Sequence, residues 1–308
     1  MSDLRATADL LNLVFGFDPP IGDDHLSWYY RDNPEGTASV GRVDDGNRQL
    51  GNYSLVPLRF HARTGPDVRL GLGVDLATHP AARGTGAFRR TVEDSYRMGT
   101  ADGLDGILGV ANAQSAPRMA ETMGWRLLPD LRARFLVPAE RLRATSHHPV
   151  DAGFLAGPIP DEVLPGPTPP PESGYGTRWT ADLLRWRLAR PGAHYVVHVR
   201  RDVALVSTVA RQGPLRVAVL LKVLPRTAEA RATAGSAAAT LARHHRTPFV
   251  LHWGISPHLV GGGVALPRRL MPSPLSLVVH AFDDAGVARL DEANLAITSF
   301  EFLDFDAY

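Results

Sequence analysis

The chain has 308 residues and not one cysteine. That absence excludes a disulfide framework, a thiolate metal site and a cysteine nucleophile together. An excess of either charge is also missing: 33 Lys and Arg stand against 32 Asp and Glu, a formal net charge of +1. Nucleic-acid binders carry a basic excess or stripe, and the doublets Arg89-Arg90, Arg200-Arg201 and Arg268-Arg269 are too short to supply one. Long apolar runs are absent too. Nothing approaches the ~20 residues that span a bilayer, and Met1 to Arg5 runs straight into an amphipathic pattern without an apolar leader. The expectation is a soluble, cytoplasmic protein with neither nucleic acid nor membrane as a partner. What the chain does have is core: 44% hydrophobic residues, over a length that suits two ordinary domains.

Proline is concentrated. Residues 138–172 hold nine prolines, ending in Pro165-Gly-Pro-Thr-Pro-Pro-Pro171. Proline removes backbone donors and favours extended chain, so this stretch reads as a linker between domains at 1–137 and 173–308. In the first half, Leu4, Leu11, Val14 and Phe15 share a helical face. A short helix follows at 21–31, then strand-like runs near 38–43, 48–63 and 68–78, broken by Asp44-Asp45-Gly46 and Thr64-Gly65-Pro66. After Arg83 the period changes: Phe88, Val92 and Tyr96 recur every fourth residue, marking a helix laid on a sheet. A buried strand at 106–111, a short helix at 115–123 and a strand at 125–136 complete this half. The second half repeats the order loosely, with helices at 179–188 and 228–244 and a last strand over 298–305.

The stretch Gly73-Val-Asp-Leu-Ala-Thr-His-Pro-Ala-Ala-Arg-Gly-Thr-Gly-Ala-Phe88 reads as strand, glycine-containing loop and helix N-terminus. Unpaired N–H groups and the positive dipole end at such a terminus attract phosphate. Gly84 and Gly86 permit close approach or positive φ, and Arg83 can add a fork of donors. A tight turn that needs glycine for geometry alone fits the same residues. The three spaced glycines of a Rossmann loop and the Gly-Lys-Ser/Thr of a P-loop are both missing.

Arg83-x-x-Gly86, after a strand ending Ala77-Thr78-His79-Pro80, resembles the pyrophosphate loop of the GCN5-related N-acetyltransferase (GNAT) superfamily. Some 30 residues on, the run from Gly109 through Asn112 to Gly124-Trp125 resembles that superfamily's second acyl-CoA segment. The resemblance implies an α/β (α+β) fold: a mixed, mostly antiparallel sheet flanked by helices, followed by a second, degenerate GNAT-like domain that shapes the acceptor site. It implies that the backbone of Leu76, Ala77 and Thr78 pairs with the pantetheine arm. Arg83, Gly84, Thr85, Gly86, Ala87 and Phe88 would hold the pyrophosphate, and Asn112 and Ser115 would touch the cofactor from the second segment. Phe88 departs from the pattern, where a small residue is usual, and suits a core position equally well. The implied co-substrate is acetyl-CoA or another acyl-CoA, with no metal. The implied acceptor is a primary amine of a small molecule, and a homodimer stays open.

For the chemistry, Asp75 and His79 are the candidate bases. The alternatives are an Asp75 satisfied by nearby donors and a His79 that only orients the loop. The superfamily's usual acid, a Tyr on the short helix after Asn112, is replaced by Met119 and Ala120, and Tyr96 reads as core. The C-terminal run Phe300–Tyr308 alternates apolar and acidic residues at strand period. Asp304, Asp306 and Tyr308, with its terminal carboxylate, are the candidate acceptor-binding groups, against the alternative of a charged edge strand. The pairs His147-His148 and His244-His245 suggest no metal, because adjacent residues share no face. After the third strand of the second half, Pro225–Arg231 has no glycine, so cofactor binding is expected to be lost there.

Overall fold

The computed structural model describes residues 4–62, 65–111, 115–139, 144–166, 174–212, 215–227, 229–266, 276–290 and 296–305. Along the chain come α1 (Leu4–Phe15), α2 (Asp23–Tyr30), β1 (Ser39–Asp44), β2 (Gln49–Ala62), β3 (Val68–Thr78), α3 (Ala87–Ala101), β4 (Gly106–Ala111), α4 (Ser115–Met123) and β5 (Arg126–Leu127). They are followed by β6 (Ala133–Leu136), β7 (Ser146–Val150), α5 (Ala152–Ala156), β8 (Tyr175–Thr177), α6 (Ala181–Leu188), β9 (Tyr195–Arg200), β10 (Val203–Gln212) and β11 (Leu215–Pro225). The last are β12 (Ala232–Thr233), α7 (Ala234–His245), β13 (Val250–Ile255), β14 (Leu259–Val260), β15 (Val264–Ala265), β16 (Ser276–Ala281), α8 (Asp284–Leu290), β17 (Ile297–Glu301) and α9 (Phe302–Phe305).

Two compact units form. Unit 1 comprises Met1–Phe60, Gly65–Pro129 and Ser276–Leu295; unit 2 comprises His61–Thr64, Asp130–Leu275 and Ala296–Tyr308. In unit 1, β1, β2 and β3 make an antiparallel meander. The chain then crosses through α3 to place β4 parallel to β3. In unit 2, β9, β10 and β11 repeat that meander, and α7 carries the chain to β13, parallel to β11. Both halves therefore follow one topology, in agreement with the mixed, mostly antiparallel sheet that the resemblance implies.

The units interleave in sequence, which a break at 138–172 does not anticipate. β16, from the second half, lies antiparallel to β4 in unit 1. Reciprocally, β6, from the first half, lies antiparallel to β13 in unit 2. A buried strand such as β4, with Ile107 and Leu108 fully covered, would otherwise leave a row of unpaired backbone groups at an apolar edge. The expected strand over 125–136 is divided accordingly: β5 pairs with β16 in unit 1 and β6 serves unit 2. Part of the proline-rich stretch is also structured, since residues 146–150 form β7 against β9. Pro149 is tolerated there because β7 lies at the end of the strand order.

Local chemistry sets the frame of unit 1. In the β1–β2 hairpin, Asp45 Oδ1 accepts the backbone N–H groups of Asn47 and Arg48, both at 3.0 Å, the turn-closing habit of aspartate. The apolar face of α3 lies on the meander at bare backbone. A Cβ on Gly41 would come within 2.3 Å of Thr91 O and 2.4 Å of Ser95 N. The core beneath includes Tyr53, Leu55, Val92, Ile107, Met119, Trp125 and Val278.

Because those contacts are backbone, α3 must shift to admit a methyl group. Gly41→Ala is expected to cost about 3 kcal/mol through overpacking and to lower the melting temperature by several degrees. Gly262→Ala, where an added Cβ meets nothing within 4 Å, should leave it unchanged. Equal melting temperatures for the two variants would contradict this packing.

Candidate functional site

β3 ends at Thr78, and a short 3-10 turn, Pro80–Ala82, leads to the loop before α3. His79 caps that turn: its Nδ1 accepts the Ala81 N–H at 3.1 Å. Gly84 and Gly86 then take φ values of +81° and +77°, open to glycine without a Cβ penalty. A Cβ on either meets nothing within 4 Å, so both face open space. Thr85 ties the loop to itself, its hydroxyl donating to Ala82 O at 2.8 Å.

The first helical bond of α3 runs from Arg90 N–H to Gly86 O at 3.1 Å. Gly86, Ala87, Phe88 and Arg89 precede it, no side chain caps them, and the first turn holds no acidic residue. The positive end of a 15-residue helix therefore stands uncompensated behind the loop. Arg83 is exposed; its backbone N–H donates to Pro80 O at 3.3 Å, and its side chain has no hydrogen bond or ion pair among the described residues. Phe88 differs from the expectation for a cofactor contact: its ring packs on the core of Tyr53, Val92 and Trp125. Only its backbone N–H is left for the loop. Ala87 is likewise buried and contributes backbone alone.

Upstream, β3 is bent by a bulge. Asn52 pairs with Ala77 and Ser54 with Val74, so Tyr53 opposes two residues, Asp75 and Leu76. Asp75 has φ +56°, a left-handed conformation that costs a non-glycine residue about 1–2 kcal/mol. A buried polar network over-determines it. Tyr30 Oη donates to Asp75 Oδ2 at 2.6 Å and Asn52 Nδ2 donates to Asp75 O at 3.0 Å. Gln49 Nε2 donates to Asn52 Oδ1 at 3.1 Å, and Thr7 Oγ1 donates to Gln49 Oε1 at 2.9 Å. Burial first, and then the Asp75 charge, push the Tyr30 phenol well above its ordinary pKa, so it stays a donor. The helical pattern marks Tyr30 only as an apolar position; its hydroxyl has no signal in the sequence.

The bulge lies where the sheet opens. The β3–β4 ladder runs from Leu70–Gly106 to Gly73–Gly109 and stops. Beyond it, β3 continues through Leu76, Ala77 and Thr78, and β4 through Val110 and Ala111, with no ladder between them among the described residues. Tyr53 marks the apex: a Cβ on Gly73 would sit 2.1 Å from its hydroxyl. Of the second expected segment, Asn112 lies outside the described residues. Ser115 opens α4, and Met119 is buried in the core. Tyr96 is a core residue as expected. It accepts a short hydrogen bond from Trp125 Nε1, and burial pushes its pKa up to about 12.

The acidic C-terminus departs from expectation. Asp306 and Tyr308 lie outside the described residues, and the strand stops at Glu301. Asp304 Oδ2 accepts the Glu301 N–H at 2.7 Å, closing the turn of α9. Rather than facing an acceptor, Asp304 is 1% exposed. It accepts from Trp179 Nε1 at 3.0 Å and from Lys222 Nζ at 2.7 Å. Lys222 also meets Glu301 at 3.3 Å, and His252 meets Glu301 at 3.2 Å. Burial opposes charge on Lys222, but Asp304 and then Glu301 outweigh it and raise its pKa. Burial likewise opposes charge on Glu301, but Lys222 and His252 hold its pKa below the ordinary value.

Among solved structures, the chain is similar to a GCN5-related N-acetyltransferase from Anabaena variabilis ATCC 29413. The TM-score is 0.60 at 11% identity, over 92% of this chain and 71% of that one. A conserved protein of unknown function from Enterococcus faecalis V583, described as a probable N-acyltransferase, gives 0.59 at 10% identity over the same shares, 92% and 71%. The fold is that of the GCN5-related N-acetyltransferases. Saccharomyces cerevisiae N-myristoyltransferase with bound myristoyl-CoA matches at TM-score 0.52 and 10% identity, over 90% of this chain and 79% of that one. No family model matches the sequence, and no curated protein does.

Within the GNAT fold the two halves differ at the equivalent helix. The N-terminus of α7 is capped, Thr233 accepting from Ser236 N, with no glycine between Pro225 and Thr233. The donors that α3 leaves open are partly closed in α7. Of the two equivalent helix starts, that of α3 is thus the one without a side-chain cap.

The C-terminal charges should show in stability. Lys222→Met strands two buried carboxylates and is expected to cost about 3–5 kcal/mol. The depressed Glu301 carboxyl stabilises the fold above its unfolded pKa and loses that contribution as pH falls through the lower folded value. Melting temperature should therefore decline on acidification below about pH 4.3. Glu301→Gln should start lower and decline less; parallel curves would remove Glu301 from this role.

Proposed function

We propose that this protein transfers an acyl group, acetyl in the first instance, from acyl-CoA to a primary amine of a small molecule. One observation carries the reading. An uncapped helix N-terminus, a two-glycine loop facing open space and an arginine whose side chain has no partner among the described residues converge where the β3–β4 ladder opens. A pyrophosphate suits that set: backbone N–H groups of residues 86–89 point to one anion, and Arg83 adds charge-assisted bonds. The open edge of β3 offers the N–H and C=O groups of Leu76–Thr78 to an extended arm that carries amides, in the manner of strand addition.

The same edge can do chemistry. The amine nitrogen attacks the thioester carbonyl, and a backbone N–H near Ala77 meets the developing oxyanion. The amine proton passes to Asp75, directly or through water, and collapse expels the thiolate, which water protonates. Asp75 is held for this by Tyr30, which fixes one carboxylate oxygen. His79 is poorly suited to be the base: with Nδ1 accepting from Ala81, the neutral ring carries its proton on Nε2. Its role is to position the loop.

Acetyl-CoA should raise the melting temperature, by the equivalent of about 2.7 kcal/mol at a hundred times Kd. Gly86→Trp should abolish the shift, and Arg83→Ala should weaken binding about tenfold. No shift at millimolar acetyl-CoA in the unaltered protein would end the assignment. A shift without thiol release across an amine panel would make the protein a binder rather than an enzyme. For the chemical step, Asp75→Asn is expected to lower kcat about a hundredfold with little change in the acetyl-CoA KM. An unaltered kcat would remove Asp75 as base.

A further inference from the structure

Unit 2 gathers histidines that the sequence separates. His147 and His148 face opposite sides of β7, while the His244 and His245 rings stay 4.9 Å apart at the end of α7, and the fold brings His147, His198 and His244 together. His147 on β7 and His198 on β9 are direct cross-strand partners, and their Nδ1 atoms lie 2.7 Å apart. The last turn of α7 brings His244 over both, with ring centroids 4.6 Å from His147 and 4.9 Å from His198. One ligand nitrogen from each of the three falls within 4.8 Å of the others. We propose that His147, His198 and His244 bind a zinc-class divalent transition ion that fastens strand β7 to strand β9 and helix α7.

The spacing suits that ion. Nitrogens ~2.0–2.1 Å from a tetrahedral centre stand about 3.3 Å apart, between the 2.7 Å and 4.8 Å found here. The ligand set is imidazole without thiolate or carboxylate, which favours zinc, copper or nickel over magnesium or calcium. An outer layer orients the deepest ligand. His198 is fully buried, and its Nε2 meets Ser207 Oγ at 2.7 Å, which in turn meets His245 Nε2 at 2.8 Å. If His198 Nε2–H donates to Ser207 and the hydroxyl donates to His245, the Nδ1 lone pair of His198 is directed at the other two rings. Hydrogen bonding of the second ring nitrogen is how ligating histidines are usually fixed.

Charge points the same way. Burial, followed by the neighbouring His244, His147 and His245, pushes His198 down to about 2. Burial also lowers His147 and His244. A metal takes the neutral form of imidazole, and converging lone pairs need a cation or a proton between them. The carbonyl end of α7, a helix of 12 residues ending at His245, adds partial negative charge. His147 is exposed, so an ion and a water ligand have access. His148 lies on the opposite face of β7 and meets Glu162 at 2.7 Å, outside the cluster.

The test uses the full chain after removal of metal by chelator and dialysis. Titration with Co²⁺ should give the visible absorption of tetrahedral cobalt at one equivalent per chain, and Zn²⁺ should displace it and raise the melting temperature. His147→Ala and His244→Ala should each weaken Zn²⁺ binding at least tenfold, and the double variant should lose the thermal shift. His148→Ala should behave as the unaltered protein. Metal-free melting curves identify any variant that fails to fold, and His147→Ala, at an exposed position, serves as the variant least exposed to that failure. Absence of one-equivalent uptake would overturn the proposal, as would uptake that survives the double variant or is lost with His148→Ala.

Discussion

Backbone donors and acceptors taken out of water need partners, and unit 1 withholds them where β3 leads into α3. The β3–β4 ladder stops at Gly73 and Gly109, and α3 begins without a side-chain cap. Neither condition would persist if local sequence could close it. Gly84 and Gly86 have no side chain to reach back, and the Arg83 side chain meets no hydrogen-bond or ion-pair partner among the described residues. The bulge at Asp75 displaces β3 from its regular course next to these groups. Its left-handed backbone is held by Tyr30 and Asn52, which in turn rest on Gln49 and Thr7. A polar network reaching back to α1 therefore maintains the edge on which the loop depends.

Comparison of the two halves shows how little separates an open helix start from a capped one. Both halves build an antiparallel meander, a crossover helix and a parallel strand. At α3 the N-cap is a glycine in the left-handed region; at α7 it is Thr233, whose hydroxyl accepts from Ser236. A capping hydroxyl stabilises a helix by roughly 1 kcal/mol. Forgoing it at α3 is a measurable cost, and it leaves the N–H groups at that helix start without a side-chain partner.

The legibility of these features in the sequence follows their range. The loop from Arg83 to Phe88 is local: glycines at positive φ, a change of period and a helix start all lie within a few residues, and each is in place. The meander strands fall close to their expected ranges for the same reason. Strand exchange is invisible because β6 and β16 read as ordinary strands wherever they pair. Tyr30 is hidden by its helical period, which reports the buried ring and is silent about the hydroxyl. The C-terminal alternation of Phe300, Phe302 and Phe305 is real in burial, but Asp304 folds back on the Glu301 N–H and ends the strand. His147 and His244 stand 97 residues apart in the chain, so only the β7–β9 register and the end of α7 can join them.

The buried charges of unit 2 are the least expected of these arrangements and the most constrained. A lysine and two carboxylates removed from water seldom stabilise a core beyond what apolar residues of similar size would achieve. Their effect here is better sought in geometry. Asp304 serves three elements at once: it accepts from Trp179 just before α6, from Lys222 on β11 and from the backbone at the end of β17. Arg187 on α6 adds a bond to Asp304 O at 2.6 Å. An apolar side chain at 304 would fill the space without distinguishing one placement of β17 from the next. A carboxylate that must meet all of its donors admits only one. The charges thereby set where β17 ends and α9 begins, while the aromatic stack of Phe300, Phe302 and Phe305 supplies the burial that holds the turn in place.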